Sequence, residues 1–122
     1  MEWSLRNDLP VYTQLVDKIK LAIISGELPP GARINSVRDL ALEAGVNPNT
    51  MQRALAELER AGLVYTQRTA GRFVTEDQAL IARAKEDLAE IQIADFLKTM
   101  NELGYGKEQV LALLRRETEG GK

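Results

Sequence analysis

Apolar residues recur at helical spacing in two short neighbouring segments of the chain. The repeat is i, i+3, i+4 and i+7 in both, and its members are Val37, Leu40, Ala41 and Ala44, then Met51, Ala54, Leu55 and Leu58. Each repeat predicts an amphipathic helix that turns one face to a core. We expect the first helix at about residues 36–44 and the second at 48–61.

The segment between these helices predicts a tight corner. Gly45 suits the left-handed conformation that ends a helix. Asn47 can cap the next helix, and Pro48 fits its first position, where a missing N–H costs nothing. At the start of the first helix, Ser36 can act as the N-cap, with Asp39 three residues later. Two short helices joined by a stiff corner define a helix-turn-helix.

The second helix carries polar side chains opposite its apolar stripe. At 100° per residue, Asn49, Gln52, Arg53 and Ala56 point away from the core. Amide and guanidinium groups are the side chains that pair with base edges in the major groove of DNA. A protein-interaction adaptor would instead show aromatic or aliphatic anchors on this face. The pattern favours DNA recognition, and the adaptor is the alternative.

The elements around this motif complete a recognisable plan. A wide apolar stripe predicts a helix over residues 11–25, and strand-like runs are expected at 32–34, 63–66 and 72–75. Helix, helix, helix and hairpin make a winged helix-turn-helix, so the fold class is α+β, mostly α. Near the N-terminus, Trp3 and Leu5 alternate like one face of a short strand. We expect Trp3 to be apolar cover and not a platform for a base.

The tail from residue 76 has a different pattern. A long helix is expected from 77 to about 103, followed by a break at Gly104-Tyr105-Gly106 and a short final helix. The long helix has two apolar stripes, and a folded-back final helix covers only one of them. We therefore expect residues 1–75 to form a DNA-binding domain and 76–122 a two-helix dimerisation tail. The expected dimer contacts are Leu88, Ile91, Ile93, Phe96, Met100, Leu111 and Leu114.

Composition narrows the function classes. The chain has no His and no Cys, which removes the usual general base, thiol nucleophile and thiolate metal site. We expect no enzyme, no metal and no cofactor. There is no long apolar run and no basic-then-apolar N-terminus, so we predict a cytoplasmic protein without a membrane span.

The net charge of −2 argues mildly against a nucleic-acid partner. The charge is unevenly distributed, however. Residues 1–75 hold nine Lys or Arg against eight Asp or Glu, and residues 76–122 hold seven against ten. Between residues 33 and 72 there are six Arg and four acids, and Arg suits bidentate contact with guanine and phosphate. The net negative charge of the chain therefore comes from the tail, and not from the expected DNA-binding domain.

Six short motifs occur in the order and spacing of a known family. They are Pro10-Val11-Tyr12, Gly26-x-Leu28-x-Pro30-Gly31, Ser36-Val37-Arg38-Asp39-Leu40-Ala41, Gly45-Val46-Asn47-x-Asn49-Thr50, Leu58-Glu59-x-x-Gly62-Leu63 and Gly71-x-Phe73-Val74. The chain resembles the GntR family of bacterial transcription regulators, and its short tail resembles the YtrA-type branch. Asn35 stands where the family usually has Pro, and Thr69 where the wing usually has its first Gly.

The resemblance implies a partner and a set of contacts. Arg38 matches the arginine that the family uses on base or phosphate, and relatives of this type commonly repress transporter operons. We expect a homodimer on an inverted repeat of double-stranded DNA. An effector of unknown identity would bind at the dimer or domain boundary. The expected DNA-contacting residues are Arg38, Asn47, Asn49, Thr50, Gln52, Arg53, Arg68, Gly71 and Arg72, with Asn47 mainly a cap.

Overall fold

A computed structural model describes residues 1–120 of the chain. It contains five helices and three strands within that range. In chain order they are α1 (Val11–Ser25), β1 (Arg33–Ile34), α2 (Val37–Ala44), α3 (Pro48–Arg60), β2 (Val64–Gln67), β3 (Gly71–Val74), α4 (Gln78–Glu102) and α5 (Lys107–Gly120). The predicted order of elements is confirmed, and the bounds shift by one or two residues.

The three strands form one small antiparallel sheet in the order β1-β3-β2. β3 lies in the middle, with Arg33 opposite Phe73 on one side and Tyr65 opposite Phe73 on the other. The rings of Tyr65 and Phe73 stack with their centroids 5.7 Å apart. The hairpin β2-β3 is the wing. Because β1 pairs with β3 and directly precedes α2, it links the wing to the start of α2.

Both helices of the predicted motif are capped as expected. The Ser36 hydroxyl accepts a hydrogen bond from the Asp39 N–H at 3.1 Å, and the Asn47 side chain accepts one from the Asn49 N–H at 2.7 Å. Gly45 ends α2 with a φ of 71°, a conformation that a residue with a Cβ rarely adopts. These local hydrogen bonds hold the corner between α2 and α3 in one shape.

The core of this region is built from the predicted apolar stripes. α1, α2 and α3 supply most of it, and the sheet covers one side. Its fully buried large side chains are Leu15, Ile19, Ile23, Met51, Leu55, Leu58, Leu63, Val64 and Val74. Each large aliphatic side chain of this kind contributes about 1.5–3 kcal/mol by leaving water. The core therefore fixes the orientation of α3 relative to the wing.

The N-terminal segment has no regular secondary structure over residues 1–6. Trp3 and Leu5 alternate like one face of a strand, but they do not pair with the sheet. The side chain of Trp3 is 8% exposed and packs with the core, so its role as apolar cover is confirmed.

The structure separates into two compact units, one formed by Met1–Ala84 and a second that begins at Lys85. The first unit extends beyond the boundary expected after residue 75, because Leu80, Ile81 and Ala84 in the first turns of α4 pack against its core. The sequence pattern alone did not show which apolar residues of the long helix belong to this core.

The second unit consists of the rest of α4 together with α5. Val110 on α5, which is 3% exposed, is its buried apolar residue within the described chain. An open apolar groove of about 640 Å³ lies between the two helices. The groove is lined by Gln92, Ile93, Phe96, Leu97, Lys107, Val110, Leu111 and Leu114. None of the helices described here is both long enough and apolar enough to cross a membrane.

Candidate nucleic-acid interface

The outer face of α3 carries the predicted polar side chains. Asn49, Gln52 and Arg53 are exposed, and Thr50 is half-buried at the same end of the helix. The opposite face is anchored by Met51, Ala54, Leu55 and Leu58, all of them buried. In the first turn, Pro48 has no N–H, and the Asn49 and Thr50 N–H groups already donate to Asn47. The helix dipole still gives this end a partial positive charge. α3 therefore presents amide and guanidinium side-chain donors together.

Arg53 is held by a contact that the sequence analysis did not foresee. Its guanidinium carbon lies 4.0 Å from the centroid of the Tyr12 ring on α1, which is cation–π geometry. The Tyr12 hydroxyl donates a hydrogen bond to Glu57 Oε1 at 3.2 Å, and Arg60 forms an ion pair with the same carboxylate. The side chain of Arg53 is thus positioned by a neighbouring helix.

From the sequence, Tyr12 belongs to the apolar stripe predicted over residues 11–25 and to the Pro10-Val11-Tyr12 motif, and it has no predicted contact. The structure places its ring between the core and the exposed face of α3, half-buried. One signal was present in the sequence, since Tyr differs from the other stripe residues in having a polar end that needs a partner. Sequence spacing alone does not show that this partner lies 45 residues further on.

Arg38 lies in the first turn of α2 and is exposed. The Ser36 cap fixes the start of that turn. No ion pair involves Arg38 among the residues that the structure describes, so its guanidinium is available to an external anion. This is the arrangement expected for a contact to phosphate or to a base.

The wing places its three predicted residues in different environments. Arg68 is exposed at the turn, and Gly71 begins β3. The Arg72 side chain is only 19% exposed, and its Nε lies 4.0 Å from Glu59 Oε1 on α3. Glu59 also accepts a hydrogen bond from the Thr66 hydroxyl on β2. Arg72 therefore takes part in joining the wing to α3, whereas Arg68 faces solvent.

Arg33 on β1 contacts the turn of the wing. Its Nε–H donates to the main-chain oxygen of Ala70 at 2.9 Å. The neighbouring Gly71 has a φ of 111°, and a Cβ added there would lie 3.1 Å from Arg33 Nε. Arg33 is one of the six arginines between residues 33 and 72, but its contact could not be predicted from the sequence, because it depends on the pairing of β1 with β3.

A shallow hollow of about 230 Å³ lies where β1, the start of α2 and the wing meet. Its lining combines three arginines with small polar groups: Arg33, Ile34, Asn35, Ser36, Val37, Thr66, Gln67, Arg68, Gly71 and Arg72. Guanidinium groups bind phosphate oxygens through several N–H donors at once. The hollow is chemically suited to the backbone of a nucleic acid.

The site offers binding groups and no evident catalytic set. Within the described residues, no three acidic side chains converge to hold a metal ion. The exposed groups of α3 and the wing are mainly amides, hydroxyls and guanidiniums, and α2 adds Arg38 beside the carboxylates of Asp39 and Glu43. Their arrangement on one helix and one hairpin is that of a surface for double-stranded DNA.

Comparison with known proteins identifies the family to which this chain belongs. A family model described as bacterial regulatory proteins, gntR family, matches residues 11–74, which include α1 through β3. The chain belongs to the GntR family of DNA-binding transcription regulators. Its relatives are transcription regulators, and the chain is not an enzyme.

Two relatives match nearly the whole chain. An HTH-type transcriptional regulator named YhcF from Bacillus subtilis is 38% identical over 99% of this chain and 100% of its own length. The HTH-type transcriptional repressor YtrA from the same species is 28% identical over 96% of this chain and 93% of its own length. The resemblance to the YtrA-type branch is confirmed, since the similarity includes the tail and not only the winged domain.

Solved structures agree with this assignment. A GntR family transcriptional regulator from Listeria monocytogenes superposes with a TM-score of 0.85 at 37% identity, covering 92% of this chain and 98% of that one. The DNA-binding domain of AraR, solved in complex with its operator ORX1, superposes with a TM-score of 0.53 at 29% identity over 62% of this chain and 92% of that one. The winged helix-turn-helix fold is confirmed, and a related domain is seen on operator DNA.

Proposed function

We propose that this chain is a homodimeric repressor that inserts α3 of each copy into the major groove of an operator. The observation that carries the proposal is the outer face of α3, where Asn49, Gln52 and Arg53 are exposed at the N-terminal end of the helix. Helix-turn-helix proteins place this end of the second helix against base edges. The AraR DNA-binding domain, which is similar to this chain and was solved in complex with its operator, supports operator binding here.

Each residue of this face has a chemical role in the proposal. Gln52 pairs with adenine, and Arg53 with guanine or phosphate. Asn49 and Thr50 lie at the helix N-terminus, where the helix dipole also favours a phosphate. Asn47 acts first as the cap of α3, since its side chain already accepts the Asn49 N–H.

Arg38 and the wing supply the contacts outside α3. Arg38 reaches a base or phosphate from the first turn of α2. Arg68 contacts the DNA backbone or the neighbouring groove from the turn, and Gly71 permits a close approach there. Arg72 contributes positive charge near the turn of the wing, although its Nε faces Glu59. These contacts add affinity and fix register more than they select sequence.

The dimer is proposed to form through the second unit. Large apolar side chains remain exposed there although α5 covers part of α4. They include Ile91, Ile93, Phe96, Leu97, Leu103, Leu111 and Leu114. Contiguous apolar surface of this kind marks an interaction site. A second copy is the occupant that fits best, because a single α3 offers a small contact surface and two linked copies bind DNA far more tightly. Leu88 and Met100, both half-buried, complete the expected contact set.

Further features of the proposal follow from the relatives. YtrA from Bacillus subtilis is named a repressor, so we infer repression, with a transporter operon as the expected target and the cytoplasm as the location. A symmetric dimer requires an inverted repeat with half-sites about one helical turn apart. An effector stays a prediction, and its binding would shift the population between two separations of the two α3 helices.

The test is a gel shift with the full chain and a duplex from the promoter upstream of its own operon. The expected result is a complex that survives excess bulk competitor DNA and weakens steeply between two salt concentrations. Binding that bulk DNA competes away equally well would contradict the proposal and would favour the protein-interaction adaptor. A duplex of the same composition in scrambled order is the matched control.

A further inference from the structure

The tip of the wing lacks a residue that the family pattern usually supplies. Thr69 stands at the position of the first wing glycine, and Ala70 separates it from Gly71. A turn with fewer glycines has less freedom to adopt a tight shape by itself. Within the turn, the Ala70 N–H donates to the Gln67 oxygen at 3.1 Å. Among the described turn residues, no main-chain N–H donates to the Ala70 oxygen.

Arg33, which lies outside the hairpin, forms a hydrogen bond with the Ala70 oxygen. It lies opposite Phe73 in the β1-β3 register, and its side chain extends toward the turn to reach Ala70. The hydrogen bond from its Nε–H to the Ala70 oxygen is 2.9 Å long. It links residues 37 positions apart in sequence, so it fixes the turn relative to β1 and not merely within the hairpin.

The same guanidinium lies against Gly71. A Cβ at Gly71 would sit 3.1 Å from Nε and 3.3 Å from Nη2 of Arg33, closer than side-chain atoms normally approach. The absence of a side chain at residue 71 therefore makes room for Arg33 on the flank of the turn. The hydrogen bond to Ala70 and the room left by Gly71 together place the guanidinium on the flank of the turn.

We infer that Arg33 is a positioning residue that holds the wing turn in its DNA-binding conformation through the Ala70 carbonyl. Arg33 affects DNA binding indirectly, because it positions the turn that contains Arg68. The effect of Arg33 on DNA binding rests on the proposed function, in which the wing contacts DNA. The positioning itself is a property of the free protein and can be measured there.

The first test uses the free full-length protein and Arg33→Met, which keeps an unbranched stem and removes the donor. Backbone ¹⁵N relaxation is measured for every assigned amide. The order parameters of Ala70 and Gly71 are expected to fall from about 0.85, typical of rigid backbone, toward the value below about 0.6 of flexible loops. Amides of α3 are expected to stay unchanged. Unchanged order parameters at the turn, or an equal fall throughout the chain, would overturn the inference.

The second test is a double-mutant cycle with Arg68→Ala, read as affinity for a duplex that the wild-type protein binds specifically. If Arg33 acts through the turn, the double variant binds within about twofold of the weaker single variant, because the two changes remove one shared contribution. If Arg33 touches phosphate directly, the two losses multiply and Arg33→Met alone lowers the salt slope by about one, which would contradict the positioning role.

Lys20→Ala on α1 is the matched control for loss of one positive charge. Lys20 is half-buried and makes no ion pair within the part of the chain that the structure covers. In the Lys20→Ala variant, the order parameters of Ala70 and Gly71 are expected to equal those of the wild type. If no duplex is bound specifically by any variant, the proposed function fails, and the relaxation result still decides the role of Arg33.

Discussion

The two units of this chain differ in how completely they bury their apolar side chains. In the first unit, Leu15, Met51, Leu55, Leu58 and Val74 are fully enclosed. In the second, Val110 is buried, whereas Ile93 and Leu111 are each 58% exposed. The first unit therefore buries its own apolar side chains, whereas the second leaves many of its apolar side chains exposed to water.

This difference indicates two kinds of task. A unit with a closed core can hold side chains such as Arg53 and Arg38 in fixed positions, which sequence recognition requires. A unit with an open apolar face gains stability when another surface covers it. We assign recognition to the first unit and self-association to the second.

The largest expected effect is on the open face. Phe96→Asp places a carboxylate in the apolar groove between α4 and α5. We expect the dimer to dissociate and operator affinity to fall by about 100-fold or more, because the linkage between two recognition helices is lost. Sedimentation velocity at micromolar protein and fluorescence anisotropy with a labelled duplex measure the two effects.

Asn101→Asp is the matched control for this change. It introduces the same carboxylate on the same helix at an exposed position outside the groove. Its mass in solution and its affinity are expected to match the wild type. A wild-type protein that sediments as a monomer at this concentration would contradict the division of tasks.

The second prediction compares one leucine from each unit. Leu55→Ala is expected to cost about 2–5 kcal/mol of unfolding free energy, because it leaves a cavity in a closed core. Leu111→Ala removes a side chain that is 58% exposed in one copy. Its cost is expected to be small at low protein concentration and to grow with concentration, since the contact forms only between copies.

Urea unfolding followed by circular dichroism at two protein concentrations measures both variants. Equal, concentration-independent losses for the two leucines would remove the contrast between the units. The midpoint of Leu55→Ala is expected to shift by the same amount at both concentrations.

The third prediction concerns recognition by the first unit. Arg53→Ala is expected to weaken operator binding by about 1–3 kcal/mol if the contact is to a base, and to lessen the salt slope by about one if it is to phosphate. Arg38→Ala is expected to behave similarly. Anisotropy titrations at four salt concentrations separate the two kinds of contact, and unchanged binding in both variants would refute the proposed surface.

The smallest expected effect is on the support of Arg53. Tyr12→Leu removes the ring over which the guanidinium lies, a contact of about 0.5–1 kcal/mol at exposed sites. Tyr12→Phe keeps the ring and loses the hydrogen bond to Glu57. We expect the Leu variant to bind operator severalfold more weakly and the Phe variant to retain most of the affinity. Equal losses in both variants would assign the role to the hydroxyl instead.

Much of the fold follows from local pattern. The stripes of α2 and α3, the Ser36 and Asn47 caps and the left-handed Gly45 were all specified by residues close in sequence, and the structure confirms them. The burial of Trp3 was predicted, but the residues that it contacts were not. Trp3 is held by distant core residues, and no local pattern reports such a contact.

The supporting contacts of the candidate site were less predictable. The positions of Tyr12 beside Arg53 and of Arg33 beside Ala70 depend on pairings between elements far apart in sequence. Periodicity shows which face of an element is apolar but not which element it meets. The end of the first unit was hard to place for the same reason, because Leu80, Ile81 and Ala84 belong by spacing to a helix that continues into the second unit.

The most direct measurement of the central claim is selection of bound duplexes from a random DNA pool with the full-length protein. We predict enrichment of an inverted repeat whose half-sites lie about one helical turn apart. Enrichment of a single half-site would contradict the proposed dimer, and a pool that stays random after repeated rounds would contradict sequence-specific recognition by α3.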